Sequence, residues 1–255
     1  MKKPIRFKND KGLTLRGFLC EPKRYDTAII FLHGFPSHCR GFTASRLSEA
    51  LGKKYLFLTF DFSHTDSSEG KFEDKLISKE VKDIKYAIDF MKNNYQFKKL
   101  ILIGHSTGAI DAALYAYKDK RIGKLVLMGA ESDLKKAVNY DFTPLQVRDF
   151  WTKGFIKYNQ LGKWYYEKKL KKAYYDEFFK LDVLGSLRKY KKPLLIVHGE
   201  KDEYIPVNKD PQELFQAANK PKRLVIIKDA DHRFTKPLHF RKLIKTICSF
   251  IEKES

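Results

Sequence analysis

Leu100-Ile101-Leu102-Ile103-Gly104-His105-Ser106-Thr107-Gly108 runs four aliphatic residues straight into a glycine-flanked serine, and a helical run, Ala109 to Tyr117, follows. The aliphatic run reads as a buried strand, so the G-x-S-x-G string occupies a strand–turn–helix junction. On such a turn the serine is forced outward, and the flanking glycines are needed because neighbouring backbones come close. In an ordinary loop the same string would hold an incidental serine. Its position gives it chemical weight.

Further apolar runs at 27–32, 55–60, 124–129, 193–198 and 223–228 do not alternate and are rich in Ile, Leu and Val. Together with 99–103 they are predicted to be strands buried on both faces. Helical periods lie between most of them. Ile77, Val81, Ile84, Ile88 and Met91 make one apolar stripe, with Lys79, Lys82, Asp83 and Lys85 expected to face out. Phe240, Ile244, Ile247 and Ile251 mark another helix. Ile5–Lys8 and Leu13–Cys20, on either side of Asn9-Asp10-Lys11-Gly12, predict an N-terminal hairpin. Strand–helix alternation implies an α/β protein with a mostly parallel sheet and helices on both faces, since parallel neighbours need a crossover. Ligands of such sheets sit at the carboxyl ends of the strands.

Residues 131–190 break the rhythm. They are too many for a connection in a compact domain, and they are dense in aromatics, including Phe142, Phe150, Trp164, Tyr174 and Phe178. Leu170, Tyr174, Phe178 and Leu181 recur at helical spacing. We read 131–190 as a small helical cap inserted into a core domain made of 1–130 and 191–255.

The chain has 255 residues, 43% hydrophobic and 32% charged, which indicates a compact globular protein. No apolar run approaches the roughly 18 residues of a membrane span. The basic start, Met1-Lys2-Lys3, leads into no apolar core of a secretory signal, so a cytoplasmic location is expected. Cys20, Cys39 and Cys248 are odd in number and widely spaced, which indicates neither a disulfide framework nor a zinc cluster. With 51 basic against 31 acidic residues the net charge is +20, enough to attract anions nonspecifically. The charge is mostly lysine, spread along the chain, without an arginine-rich stripe or RNP-like motif. We therefore expect a solvated surface and no specific nucleic-acid site.

A serine hydroxyl needs a base, and the base needs a carboxylate to orient it. His232, in Asp229-Ala-Asp-His-Arg-Phe just beyond the last strand, is the best-placed histidine. Asp202, in His198-Gly-Glu-Lys-Asp-Glu, lies on the same rim of the sheet, with Glu200, Glu203, Asp231 and, more remotely, Asp61 as rivals. His33, His105 and His198 flank strand ends and read as structural, bonding backbone near the site. His38, His64 and His239 have no carboxylate loop arranged around them. Two backbone N–H groups must also face the developing oxyanion. Thr107 supplies one, and Phe35, in the His33-Gly34-Phe35 loop, is the candidate for the other.

These strings, in the order Ser106, Asp202, His232, resemble the α/β-hydrolase superfamily, most closely its feruloyl or cinnamoyl esterase-like and serine-aminopeptidase-like branch. The resemblance covers essentially the whole chain. It implies an α/β-hydrolase fold with an eight-stranded sheet whose second strand is antiparallel, a cap after the sixth strand, and no cofactor or metal. Two departures stand out. Asp61-Phe-Ser-His-Thr-Asp-Ser-Ser68 lacks both central glycines of the string usual after the fourth strand, and Ala109 stands where a second glycine is common. Neither touches the triad.

The function this implies is hydrolysis of a small-molecule carboxylic ester through an acyl-enzyme on Ser106, with an aromatic, cinnamoyl-type or short-to-medium acyl group. A peptidase, amidase or acyltransferase on the same triad, or a non-catalytic hydrolase-like binding protein, are the alternatives. A homodimer is left open.

Overall fold

A computed structural model describes residues 2–253. Strands β1 (Lys2–Lys8) and β2 (Thr14–Cys20) form the expected hairpin. Then follow β3 (Thr27–Leu32), α1 (Phe42–Leu51), β4 (Leu56–Phe60), α2 (Ile77–Asn94), β5 (Lys99–His105), α3 (Thr107–Ala116) and β6 (Lys124–Met128). After β6 come α4 (Leu134–Asp141), α5 (Pro144–Lys153), the short strands β7 (Phe155–Lys157) and β8 (Lys169–Lys171), α6 (Lys172–Glu177) and α7 (Val183–Lys189). The chain closes with β9 (Leu194–Gly199), α8 (Asp210–Ala217), β10 (Lys222–Ile227) and α9 (Pro237–Glu252).

Eight strands make one sheet in the order β1-β2-β4-β3-β5-β6-β9-β10. β2 runs against the other seven strands of this sheet, and every pair from β4 to β10 is parallel. This is the α/β-hydrolase arrangement. Successive side chains of a strand point to opposite faces, and the central strands use both. Ala28, Ile30 and Leu32 of β3 face α2, α3, α7 and α8, while Ile29 and Phe31 face α1 and α9. The continuous apolar runs in the sequence reflect this double burial. In β10 the expectation needs correcting: it is an edge strand, paired only with β9, and its residues are largely half-buried.

Two helix expectations also change. The Leu170–Leu181 periodicity is not one helix. Leu170 lies in β8, where it pairs with Ile156 of β7, and the helix starts only at Lys172. The spacing survives as the Tyr174–Phe178 contact, with ring centroids 5.8 Å apart. Asp83 of α2 is buried, because the loop after β4 packs over it: Ser63 N–H donates to its Oδ2 at 2.7 Å and Asn9 Nδ2 to its Oδ1 at 2.9 Å.

Beneath that loop lies a buried charge cluster. Lys75 Nζ donates to Glu80 Oε1 at 2.5 Å and to Thr65 Oγ1 at 2.6 Å. Glu80 Oε2 and both Asp111 oxygens have no hydrogen-bond partner among the described residues. Burial pushes both carboxyls up, the charge of Glu80 adds to the shift at Asp111, and Lys75 opposes it in each. A carboxyl raised by folding contributes stability in full below its unfolded pKa, about 4, and loses it as pH rises through the folded value. Lys75→Met is therefore expected to cost about 3–5 kcal/mol at pH 8 in urea unfolding, and less at pH 5. Adding Glu80→Gln should recover most of the loss. A single variant as stable as wild type at pH 8 would show that Lys75 neutralises nothing.

Candidate active site

Ser106 sits between β5 and α3 with φ 56° and ψ −129°, a backbone region that L-residues avoid. The strain is held by contact. A Cβ on Gly108 would lie 2.3 Å from the Leu32 carbonyl oxygen, and one on Gly104 would lie 2.2 Å from the Gly108 carbonyl oxygen. The two glycines let α3 start directly against the end of β3. Ser106 N–H also donates to the Met128 carbonyl of the neighbouring strand at 2.9 Å.

His232 follows β10 and Asp202 follows β9. His232 Nδ1–H donates to Asp202 Oδ2 at 2.7 Å. Asp202 Oδ1 accepts the N–H groups of Tyr204 and Ile205 at 3.0 and 2.9 Å, and its side chain is fully buried. Burial acts to raise this carboxyl, but the hydrogen bond and charge of His232, the Ile205 N–H and the nearby His198 outweigh it and hold it below the ordinary carboxylate value. The rivals are occupied elsewhere. Glu203 accepts the His232 backbone N–H, Glu200 that of Asp229, and Asp231 that of Thr235. Asp61 accepts the Cys39 N–H at 2.6 Å and the Ser67 hydroxyl at 2.5 Å.

Ser106 and His232 are not joined by a hydrogen bond among the described residues, though their loops are tied together. His105, next to the serine, donates from Nε2 to the His232 carbonyl at 3.0 Å, and the two rings lie 4.7 Å apart. His33 likewise donates to the Gly34 carbonyl, and His198 to that of Ile205. Burial, reinforced by the charge of His232, pushes His105 down to about 3, and burial pushes His33 down to about 4. Both are therefore neutral N–H donors at ordinary pH. Among the described residues neither the Phe35 nor the Thr107 backbone N–H donates to another group of the chain.

Several neighbours are not among the expected site residues. The Tyr204 ring lies 5.2 Å from that of His232. Trp164 Nε1–H, from the β7–β8 connection, donates to the Pro36 carbonyl at 2.8 Å and so ties that connection to the loop bearing Phe35. The Phe35 ring is surrounded by Tyr174 at 5.3 Å and by Phe72 and Tyr158, each at 6.1 Å. Glu131, just after β6, is buried, and its carboxyl is pushed well up, first by burial and then by Asp141 and Asp210. Trp164 and the rings around Phe35 meet only through the tertiary fold, whereas Tyr204, two residues after Asp202, and Glu131, just after β6, lie at strand ends where the search for rim residues applied. His38, read as lacking a carboxylate, has one: Asp66 Oδ2 lies 3.1 Å from its Nδ1. His38, Asp61 and Asp66 bring one ligand atom each within 4.8 Å of one another. Arg40 already pairs with Asp66 at 2.8 Å and backbone donors occupy Asp61, so the cluster's charge is met by the protein itself.

Comparison with known proteins supports the architecture. Palmitoyl-protein thioesterase ABHD10, mitochondrial, of Mus musculus is 27% identical over 239 residues, covering 89% of this chain and 76% of the relative. Among solved structures, Est1E of Butyrivibrio proteoclasticus with bound ferulic acid superposes with a TM-score of 0.81 at 24% identity, over 98% of this chain and all of that one. Esterase Pf2001 of Pyrococcus furiosus superposes with a TM-score of 0.76 at 24% identity, over 99% and 92% of the two chains. The family model described as "Alpha/beta hydrolase family" matches residues 29–241, a span that runs from β3 into α9 and takes in Ser106, Asp202 and His232. The chain belongs to the alpha/beta hydrolase family.

Proposed function

We propose that the protein hydrolyses carboxylic esters by way of an acyl-enzyme on Ser106. His232 takes the serine proton as Oγ attacks the acyl carbon, then returns it to the leaving alcohol. Water, deprotonated by His232, releases the acid. Asp202 stays ionised, fixing the imidazole tautomer and stabilising the imidazolium. The unengaged N–H groups of Phe35 and Thr107 hold the oxyanion. The observation that carries this reading is the 2.7 Å His232–Asp202 bond on the same rim as a serine strained to φ 56°.

The half-buried rings of Phe35 and Tyr158, backed by the buried Phe72 and Tyr174, favour an apolar or aromatic acyl group, because rigid rings offer apolar area at little entropic cost. Residues 131–190 act as the cap in this reading, with Trp164 anchoring it to the oxyanion loop. α7 is its exit, packed on α3 and α8. A thioester is the second reading, favoured by the thioesterase name of the curated relatives. Its acyl-enzyme half-reaction is the same, and its thiolate leaves with less help from a proton. A cytoplasmic location belongs to the proposal too, although those relatives are named mitochondrial. No helix among the described residues is long and apolar enough to cross a membrane.

Steady-state hydrolysis of p-nitrophenyl esters from acetate to palmitate, with the cinnamate and a palmitoyl thioester alongside, tests the reading. Ser106→Ala should lower turnover by at least ~10³-fold, and Asp202→Asn by about 10⁴-fold. Wild type and Ser106→Ala equally inactive on every substrate would overturn it. Gly129 gives a subtler test: a Cβ there would lie 3.0 Å from His232 Cε1 and 3.4 Å from Asp202 Oδ2, at a φ of 52°. Gly129→Ala should displace the imidazole and reduce kcat by about 10²-fold in a protein that still folds. Unchanged kcat would mean that His232 does not work from this position.

A further inference from the structure

The β1–β2 hairpin leaves one face uncovered. Its Phe7 side packs on the core, with the Phe7 ring 5.2 Å from Phe90 of α2 and 5.4 Å from Phe60 of β4. On the other side, among the described residues, the sheet is covered by α1, α9 and the loop before α9. α1 reaches the end of β2, where Cys20 Sγ lies 3.2 Å from Ser48 Oγ. Beyond that point β1 and β2 form the outer edge of the sheet, and a cavity of about 400 Å³ opens there. Pro4, Ile5 and Phe18 line its apolar part, and Arg6, Arg16 and Arg40 its polar part.

The arrangement of these arginines is costly by itself. Arg6 and Arg16 are directly opposite in the antiparallel register, and like charges so placed repel. Arg16 has partners, donating to the Ser67 carbonyl at 2.9 Å and to Glu69 at 3.2 Å. Arg40 is paired with Asp66. Arg6 has neither a hydrogen bond nor an ion pair among the described residues. Lys2 adds another cation to the rim, its Nζ 4.8 Å from the centre of the Phe18 ring, and Lys8 lies farther along the same face. The acidic groups at this face, Glu69 and Asp66, are those already engaged. The face thus offers unmet positive charge beside an apolar hollow large enough for a small organic molecule.

We propose that this cavity binds a small organic anion, one carboxylate or phosphate group carried on an apolar body, with the anion bridging Arg6 and Arg16 and the body lying on Pro4 and Phe18. A planar guanidinium pair suits either headgroup through bidentate bonds. The site stands apart from Ser106, His232 and Asp202, and does not rest on the ester-hydrolase reading.

Isothermal titration at low salt with phenyl phosphate, hexanoate, inorganic phosphate and benzyl alcohol tests the proposal on wild type and Arg6→Gln. Arg6 is exposed and unpaired, so the variant should fold normally and keep wild-type ester turnover. Phenyl phosphate or hexanoate should bind one per chain, and the tighter of the two identifies the headgroup. In Arg6→Gln that affinity should fall about tenfold or more, as the loss of a charge-assisted hydrogen bond predicts. Inorganic phosphate and benzyl alcohol should bind at least tenfold more weakly than the preferred anion. The proposal is overturned if neither organic anion binds, if Arg6→Gln binds them as wild type does, or if a probe lacking the charge or the apolar body binds equally well.

Discussion

Three backbones meet without room for a side chain at the turn after β5, and the geometry of the rim depends on that contact. Gly108 lies under the carbonyls of Leu32 and His33, and Gly104 lies against Gly108. Because β3 and β5 are hydrogen-bonded neighbours, the start of α3 is wedged against the end of β3. The contact extends across the rim, since a Cβ on Gly34 would sit 2.7 Å from Ser106 Cβ. The strained serine and the loop that carries the Phe35 N–H are therefore positioned by the same set of contacts. Positive φ at a non-glycine residue persists only where its surroundings over-determine it, and here the sheet does so.

Loops at the carboxyl edge of a parallel sheet carry backbone carbonyls that need donors. Histidine answers this need three times: His33 for Gly34, His105 for His232 and His198 for Ile205. Burial lowers the proton affinity of all three, and His33 and His105, pushed down to about 4 and about 3, are neutral donors over the working range of pH. His232 differs from them in its hydrogen bond. Its Nδ1–H donates to the Asp202 carboxylate at 2.7 Å, whereas the other three donate to backbone carbonyls, although Asp202 Oδ2 also lies 3.3 Å from His198 Nε2 and Asp61 Oδ1 3.9 Å from His33 Nε2. The rim thus separates histidines that hold loops through carbonyls from the one that, in the mechanism proposed above, moves a proton, and the separation lies in which hydrogen bond each ring makes.

The sequence made the fold legible where the physics is local or periodic. Doubly buried strands announce themselves as aliphatic runs, the elbow needs its glycines, and the structural role expected of His33, His105 and His198 follows from their position at strand ends. The reading failed where a third element intervenes. Asp83 is polar at a position exposed on an isolated helix, yet the loop after β4 closes over it and satisfies it. The Leu170–Leu181 period is helical in spacing, but pairing with Ile156 draws its first residue into a strand. Trp164 reaches the Pro36 carbonyl from a distant segment, and no spacing in the chain marks the two as neighbours.

Charge shows the same limit from the other direction. Read linearly, the excess of +20 is a diffuse lysine surface, and local pairs leave that excess unchanged: Lys85 with Asp89, Lys153 with Asp149 and Lys172 with Asp176, each one helical turn apart, cancel one charge of each sign. Such exposed pairs add little stability, but they neutralise the surface that carries them. Arg6, Arg16 and Arg40 are too far apart in the chain to form a basic stripe. Antiparallel register places the first two face to face, and the loop after β3 brings in the third. A uniform lysine excess raises the potential everywhere and selects nothing. Antiparallel register instead fixes the backbone positions of Arg6 and Arg16 opposite each other beside an apolar hollow, and a local arrangement of that kind can discriminate one anion from another.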